Sequence, residues 1–290
     1  MKNIIKSLII ISLFILVYLN KNVVVISVIN SIDLFNKAIF PSIFPIMIIS
    51  DLILSTNIIN YLSNTIGIIF SKIFKLSKYS GYVFIMSMIS GTPSCAKYLK
   101  DLLNNNCITK KEIQKILPMV ILYNPLLIIS LTSYLSLYDS CLVIILNIII
   151  NLIVGLINRN YKIEIKDNKL IPKNFNLVES INNALNALIS IFGIITTFNI
   201  LNNLLPIKHP LITGILEITN GLNLVNVINT SYQNKLLYTG ILLSFSGLSI
   251  ITQIKSIFKK DTLDYSLFYK SRIIHLILTL ILYYLIFLLN

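Results

Sequence analysis

The chain has 290 residues, 56% hydrophobic and 12% charged, with a mean hydropathy of +0.83. A soluble domain carries about 25% charged residues, so a water-exposed globular fold is excluded and an all-α, polytopic helical membrane protein is expected. The net charge of +13, from 24 Lys+Arg against 11 Asp+Glu, places basic side chains at cytoplasmic helix ends facing anionic lipid rather than on nucleic acid.

Lys2 and Lys6 precede an apolar run to Leu19 with no small-residue cleavage site, which predicts an uncleaved first helix. The next span is expected from about Lys37 to Leu54, with Pro41 and Pro45 breaking its early part. Asn57 to Leu76 is amphipathic and fits either a span or a surface helix. Tyr82 to Ile89 is too short to cross. It meets Ser90-Gly91-Thr92-Pro93-Ser94, and a second short helix follows from Cys95 to about Leu103. Two half-length helices around a Ser/Gly/Pro turn predict a re-entrant hairpin.

Thr109-Lys110-Lys111-Glu112 is a capping-box pattern. The helix it starts is expected to kink at Pro118 and at Asn124-Pro125. Cys141 to Ile157 is a further span. Residues 158–176, with Arg159, Lys162, Lys166, Lys169 and Lys173, form a polar linker. Beyond it come Val178 to Ile200 and then Pro210 to Val227, which contains Glu217, Asn220 and Gly221. Leu236 to Phe245 is again short and meets Ser246-Gly247-Leu248-Ser249, with Ile250 to Phe258 after it. Asp261 or Thr262 is expected to cap a last helix reaching Leu289.

The shift that lays Ser90-Gly91 on Ser246-Gly247 also lays Lys97 on Gln253, and a neighbouring shift lays Ala38 on Ala187. Two repeats are therefore expected, each holding a broken hairpin. The expected organisation is an N-terminal helix (1–30), a first repeat (31–157), the linker (158–176) and a second repeat (177–290). Paired broken helices point to a secondary-transporter site. Orientation stays open: one crossing count leaves Lys255, Lys259 and Lys260 on the outer side, against the positive-inside tendency.

Cys95, Cys107 and Cys141 lack metal-ligand spacing, His209 and His275 form no HExxH, and no phosphate loop is present. No catalytic residue, metal or cofactor is expected, and the chain does not read as an enzyme. Ser94 and His275 are the one nucleophile–base pair available, and their spacing does not recommend them.

Ser90 to Lys97 resembles the SGYPxGAK-type signature of the nucleoside-recognition (Gate) domain family, with Thr92 and Cys95 in place of its Tyr and Gly. Gly214 to Gly221 resembles that family's GLLEMTxG segment. Ser244 to Ser249 with Gln253 resembles its second hairpin, and Ser271-Arg272-Ile273-Ile274-His275 its ARLLH helix. The set is similar to the YlbJ-like sporulation integral membrane proteins. The resemblance implies a bacterial cell membrane, or the membrane around a developing spore. It also implies transport of a small organic anion, with dipicolinate the leading candidate. A nucleoside-like solute and a non-transporting scaffold are the alternatives.

The expected substrate-binding residues are Ser90, Gly91, Thr92, Pro93, Ser94, Lys97, Asn124, Glu217, Asn220, Ser246, Gly247, Ser249 and Gln253. Half-helix N-termini at the two tips present free backbone N–H groups and a positive dipole end. Lys97 would act as a counter-charge, against an i,i+4 pair with Asp101. Glu217 is the strongest candidate for ion coupling. Arg272 and His275 share a helix face; Arg272 fits a headgroup anchor and His275 a titrating group. Membrane lipid is the sure partner, with a coupling ion and a second copy of the chain left open.

Overall fold

The computed structural model describes residues 2–166, 168–172 and 174–289. Met1, Asn290, the linker residues Asp167 and Lys173, and the side chains of Lys2 and Lys6 lie outside the described residues. All regular structure among the described residues is helical.

Helix α1 (Lys2–Leu19) is followed by α2 (Lys21–Leu34), which passes through a π turn (Phe35–Ile39) into α3 (Phe40–Leu54). Pro41 and Pro45 remove two N–H donors, and the ladder slips so that Phe40 N–H reaches Phe35 O. The apolar span therefore begins at Lys21 rather than Lys37, and α2 runs without a break across 30 and 31. The undecided stretch 57–76 becomes α4 (Ile58–Asn64) and α5 (Ile66–Phe74), which pack on α6 (Tyr79–Ser90). A Cβ on Gly81 would sit 3.0 Å from Gly67 Cα, so two glycines permit that approach.

Helix α7 (Ser94–Asn104) folds back on α6. Both ends of the pair meet at Asn168: Tyr79 Oη donates to Asn168 O at 3.0 Å, and Asn168 Nδ2 donates to Asn106 O at 3.0 Å. Helix α8 (Lys110–Ile116) starts as expected, with Thr109 Oγ1 accepting Glu112 N–H at 3.1 Å. The Glu112 carboxylate also accepts Ser77 N–H at 2.6 Å, at the foot of α6. The expected kinked helix is instead two helices. A 3-10 turn (Leu117–Met119) and an unwound run, 120–124, separate α8 from α9 (Pro125–Leu131). Pro118 and Pro125 bracket this run and disfavour helix on either side.

Helix α10 (Leu137–Ile157) is capped by Ser136 Oγ, which accepts Asp139 N–H at 3.0 Å. The linker is strapped to the first half, with Asn60 Nδ2 donating to Leu170 O at 2.9 Å. Helix α11 (Leu177–Leu204) lies along α2, where Asn199 donates to Ser31 at 2.7 Å and Asn203 to Ser27 at 2.9 Å. Such bonds join helices where lipid gives no hydrophobic drive.

The segment 210–227 is α12 (Pro210–Leu216) folded back on α13 (Ile218–Val227), with extended Glu217 between them. Gly214 and Gly221 allow this: a Cβ on Gly221 would sit 2.6 Å from Gly214 Cα. Helix α14 (Tyr232–Phe245) meets α15 (Gly247–Ile257) at left-handed Ser246, φ +74°. The last helix, α16 (Ser266–Leu289), is capped by neither Asp261 nor Thr262. Ser266 N–H donates to Asp264 at 2.8 Å, and Asp261 pairs with Lys100.

The molecule has two ends. At one, Lys100 meets Asp261, Lys115 Nζ donates to Arg159 O at 2.8 Å, and Asn158 Nδ2 to Ser271 Oγ at 2.9 Å. At the other, Ser136 N–H donates to Tyr232 Oη at 3.0 Å, and the Tyr134 and Thr239 hydroxyls are 2.8 Å apart. The α14–α15 helix runs from the second end to the first, so it is an interrupted crossing and not the expected hairpin. One left-handed residue deflects a helix; it does not reverse it. The fold-back of this half lies at Glu217. Lys259 and Lys260, beside Asp261, then share an end with Lys100 and Lys115, which removes the conflict with the positive-inside tendency.

Among the described residues, five helices are long and apolar enough to cross a membrane: Lys21–Leu54, Leu137–Asn160, Leu177–Leu204, Tyr232–Ile257 and Ser266–Leu288.

Candidate functional site

The interruptions converge on the unwound run 120–124. Thr92 N–H donates to Leu122 O at 2.7 Å. Gly91, φ +72°, lies against the same run: a Cβ there would sit 2.3 Å from Asn124 N. Asn124 Oδ1 accepts Leu126 N–H at 2.9 Å and Leu127 N–H at 3.3 Å, capping α9. Tyr123 Oη donates to Leu243 O at 2.9 Å, one turn before Ser246. Gly247, φ +70°, lies against Gly214 O and Ile218 N at the Glu217 fold-back. The second arms, α7 and α15, touch. Tyr123 thus bridges the first turn to the second break.

Carbonyls freed by the prolines find donors from far away in sequence. Pro118 O accepts from Arg272 Nη2 at 2.5 Å, and Ile121 O from Asn151 Nδ2 at 3.1 Å. Non-helical backbone at membrane depth survives only where protein meets its needs in this way.

The helix starts differ in how they are closed. Asn124 caps α9, and Glu217 caps α13 by accepting Thr219 N–H at 3.1 Å and its hydroxyl at 3.0 Å. No side chain caps α7 or α15. The Ser94 hydroxyl at the start of α7 is fully buried and has no hydrogen-bond partner. Glu217 is 2% exposed, and its second oxygen, beside the Ser249 hydroxyl, makes no hydrogen bond. Free N–H groups at α7 and α15 can receive a carboxylate, while a neutral Glu217 could donate a proton toward Ser249.

Of the expected residues, the structure brings Gly91, Thr92, Asn124, Glu217, Ser246, Gly247 and Ser249 around Tyr123. Ser90 Oγ bonds its own helix at Met86 O, and Pro93 follows Thr92 through a cis peptide. Gln253 Nε2 donates to Ser249 Oγ at 3.0 Å, one turn along α15. Lys97 is placed elsewhere: it pairs with Asp51 and with Asp101 at 3.3 Å, and Asp51 also accepts from Ser180 at 2.7 Å. Its charge is already balanced. Asn220 donates to Asn199 at 2.5 Å, tying α13 to α11.

Arg272 is no headgroup anchor. It is 3% exposed, and Nη2 also donates to Asn151 Oδ1 at 2.9 Å. His275, fully buried on the same face, lies 3.4 Å from Thr279 Oγ1 through Nδ1. Arg272, Asn151 and Tyr123 were not among the expected binding residues. The signals for two of them were an arginine in the second turn of a long apolar helix, and Asn147 and Asn151 four apart in another.

No family profile and no solved structure matches the chain. It is similar to the sporulation integral membrane protein YlbJ of Bacillus subtilis (strain 168), at 23% identity, with 82% of this chain and 71% of that protein covered. This chain is a bacterial integral membrane protein. The same similarity supports the YlbJ-like part of the resemblance.

Proposed function

We propose that this protein works in sporulation as a membrane transporter of a small organic anion, by alternating access around the Tyr123 junction. The observation that carries the reading is the meeting of two uncapped helix starts, α7 and α15, at an unwound crossing beside buried Glu217. Two positive helix ends prefer a carboxylate to a neutral solute. The name of the similar protein supplies sporulation. The resemblance to the Gate family supplies transport and dipicolinate.

The repeat takes a new register in this reading. The fold-back α6/α7 corresponds to α12/α13, the broken crossing α8–α9 to α14–α15, and α10 to α16. The two halves then enter the membrane from opposite ends, which is the arrangement of inverted-repeat transporters. Glu217 is the coupling residue, and no covalent step on substrate is involved.

Uptake into vesicles containing the purified protein tests this, with dipicolinate and a nucleoside as alternative solutes. Dipicolinate uptake in preference to the nucleoside is expected. Preferred nucleoside uptake would replace the anion by a nucleoside-type solute. Uptake of neither would leave the scaffold reading.

A further inference from the structure

Arg272 is a buried cation that no carboxylate neutralises among the described residues. Its acceptors are all neutral: Pro118 O at 2.5 Å, Asn151 Oδ1 at 2.9 Å and Ser246 Oγ at 3.5 Å. Its Nε–H has no acceptor at all. Phe268 covers it, with the ring centre 5.7 Å from the guanidinium carbon. Lys97, the more exposed of the two cations, holds two carboxylates. A guanidinium enclosed by neutral groups is a poor structural brace, because its desolvation is not offset by an opposite charge. In an apolar helix such a charge marks the path of a counter-charge that comes and goes.

Its position agrees. Ser246, which it contacts, is the break in the α14–α15 crossing, and Pro118 begins the break in α8–α9. Cys95, in the first turn of uncapped α7, lies within its electrostatic reach. Further along the same face of α16, the His275 Nε2 and Tyr283 Oη atoms are also buried without partners. They line a small cavity with Asn147, Ser244 and Thr279.

We propose that Arg272 is the residue that binds the carboxylate of the transported solute, through the Nε–H that no protein group accepts. The inference rests on the anion-transport reading and names the charge that reading lacks. The uncapped helix starts supply partial charges; Arg272 supplies a full one, on a donor with no acceptor of its own.

The test is binding of two probes of nearly equal shape to purified protein: pyridine-2,6-dicarboxylate and its neutral analogue, pyridine-2,6-dicarboxamide. Wild type should prefer the dicarboxylate. Arg272→Gln should weaken dicarboxylate binding by about 30-fold, the loss of one charge-assisted contact, and change dicarboxamide binding by less than about threefold. Arg272→Lys, which keeps the charge and the fold better, should lose about 5–10-fold for the dicarboxylate alone. Equal losses for both probes in either variant, or no loss in a folded Arg272→Gln, would overturn the role of Arg272 and leave anion transport standing. A wild type that binds the dicarboxylate no better than the dicarboxamide would overturn both.

Discussion

The two fold-backs, α6/α7 and α12/α13, solve the same problem with opposite charge. At the first, Gly91 is pressed against the unwound run and α7 begins with no cap, with the orphaned Ser94 hydroxyl beside it. At the second, α13 begins with a carboxylate of its own, since Glu217 caps it. One helix end is closed by a side chain of its own and the other is not. A buried helix end without a cap is costly, and this difference between the two fold-backs is what the proposed anion site rests on.

The largest expected effect is at the first turn. Gly91→Ala puts a Cβ 2.3 Å from Asn124 N at φ +72°, and should destabilise the protein by about 3 kcal/mol or more, read as a lower melting temperature in detergent. Gly221→Ala tests the second fold-back in the same way. Its Cβ would meet Gly214 Cα at 2.6 Å, forcing α12 and α13 apart for about 2 kcal/mol. If the two substitutions were harmless, the close packing that defines both turns would not exist.

Glu217 separates cap from coupling. Glu217→Ala removes the cap of α13 and should cost about 1–2 kcal/mol. Glu217→Gln keeps an acceptor for Thr219 and should stay within about 0.5 kcal/mol of wild type, yet abolish uptake or flatten its pH profile. Unchanged uptake and pH profile in Glu217→Gln would leave the residue a cap and nothing more.

The smallest effect lies at the foot of α6. Burial pushes the Glu112 carboxyl above its ordinary value of 4.5, against the lowering effect of its Ser77 hydrogen bonds. An acid raised in the folded state contributes most below that ordinary value, and its contribution fades as pH rises through the raised one. Glu112→Gln keeps an acceptor for Ser77 N–H and removes that fading. Its stability, read from thermal melting, should fall less than that of wild type between acidic and neutral pH, by a difference under about 1 kcal/mol.

Much of the fold could be read from apolar run length and caps. Helices α6, α7, α10 and α11 lie within a few residues of their expected bounds, and Thr109 caps as its pattern predicts. The stretch from Lys21 to Asn36 is interrupted in its apolar pattern by Ser27, Ser31 and Asp33. Ser27 and Ser31 accept from Asn203 and Asn199 of α11, so the partner helix accounts for both serines. The fold-back at Glu217 was hidden because one extended residue, without proline, breaks an eighteen-residue run that is long enough to cross. Ser246-Gly247 copied the letters of Ser90-Gly91 but not the turn that follows them. Arg272 was illegible as a site residue because its partners Asn151 and Pro118 lie 121 and 154 positions away.

The pairing of α2 and α3 with α11 has a mechanical consequence. Ile39, Ile43, Met47, Ala184, Leu188, Ile191 and Ile195 form a buried cluster of their own, apart from the large cluster that contains both fold-backs. Toward that larger body α3 offers half-buried Ile46, Ile53 and Leu54, α11 packs on α15, and the polar ties across the join are Lys97 to Asp51, Asn220 to Asn199 and Asn202 Nδ2 to Thr213 O at 3.1 Å. Motion of the arm against the body would break these polar ties and leave both apolar clusters whole. In the proposed alternating access, the arm would therefore be the part able to move as a unit, because no apolar core would have to open.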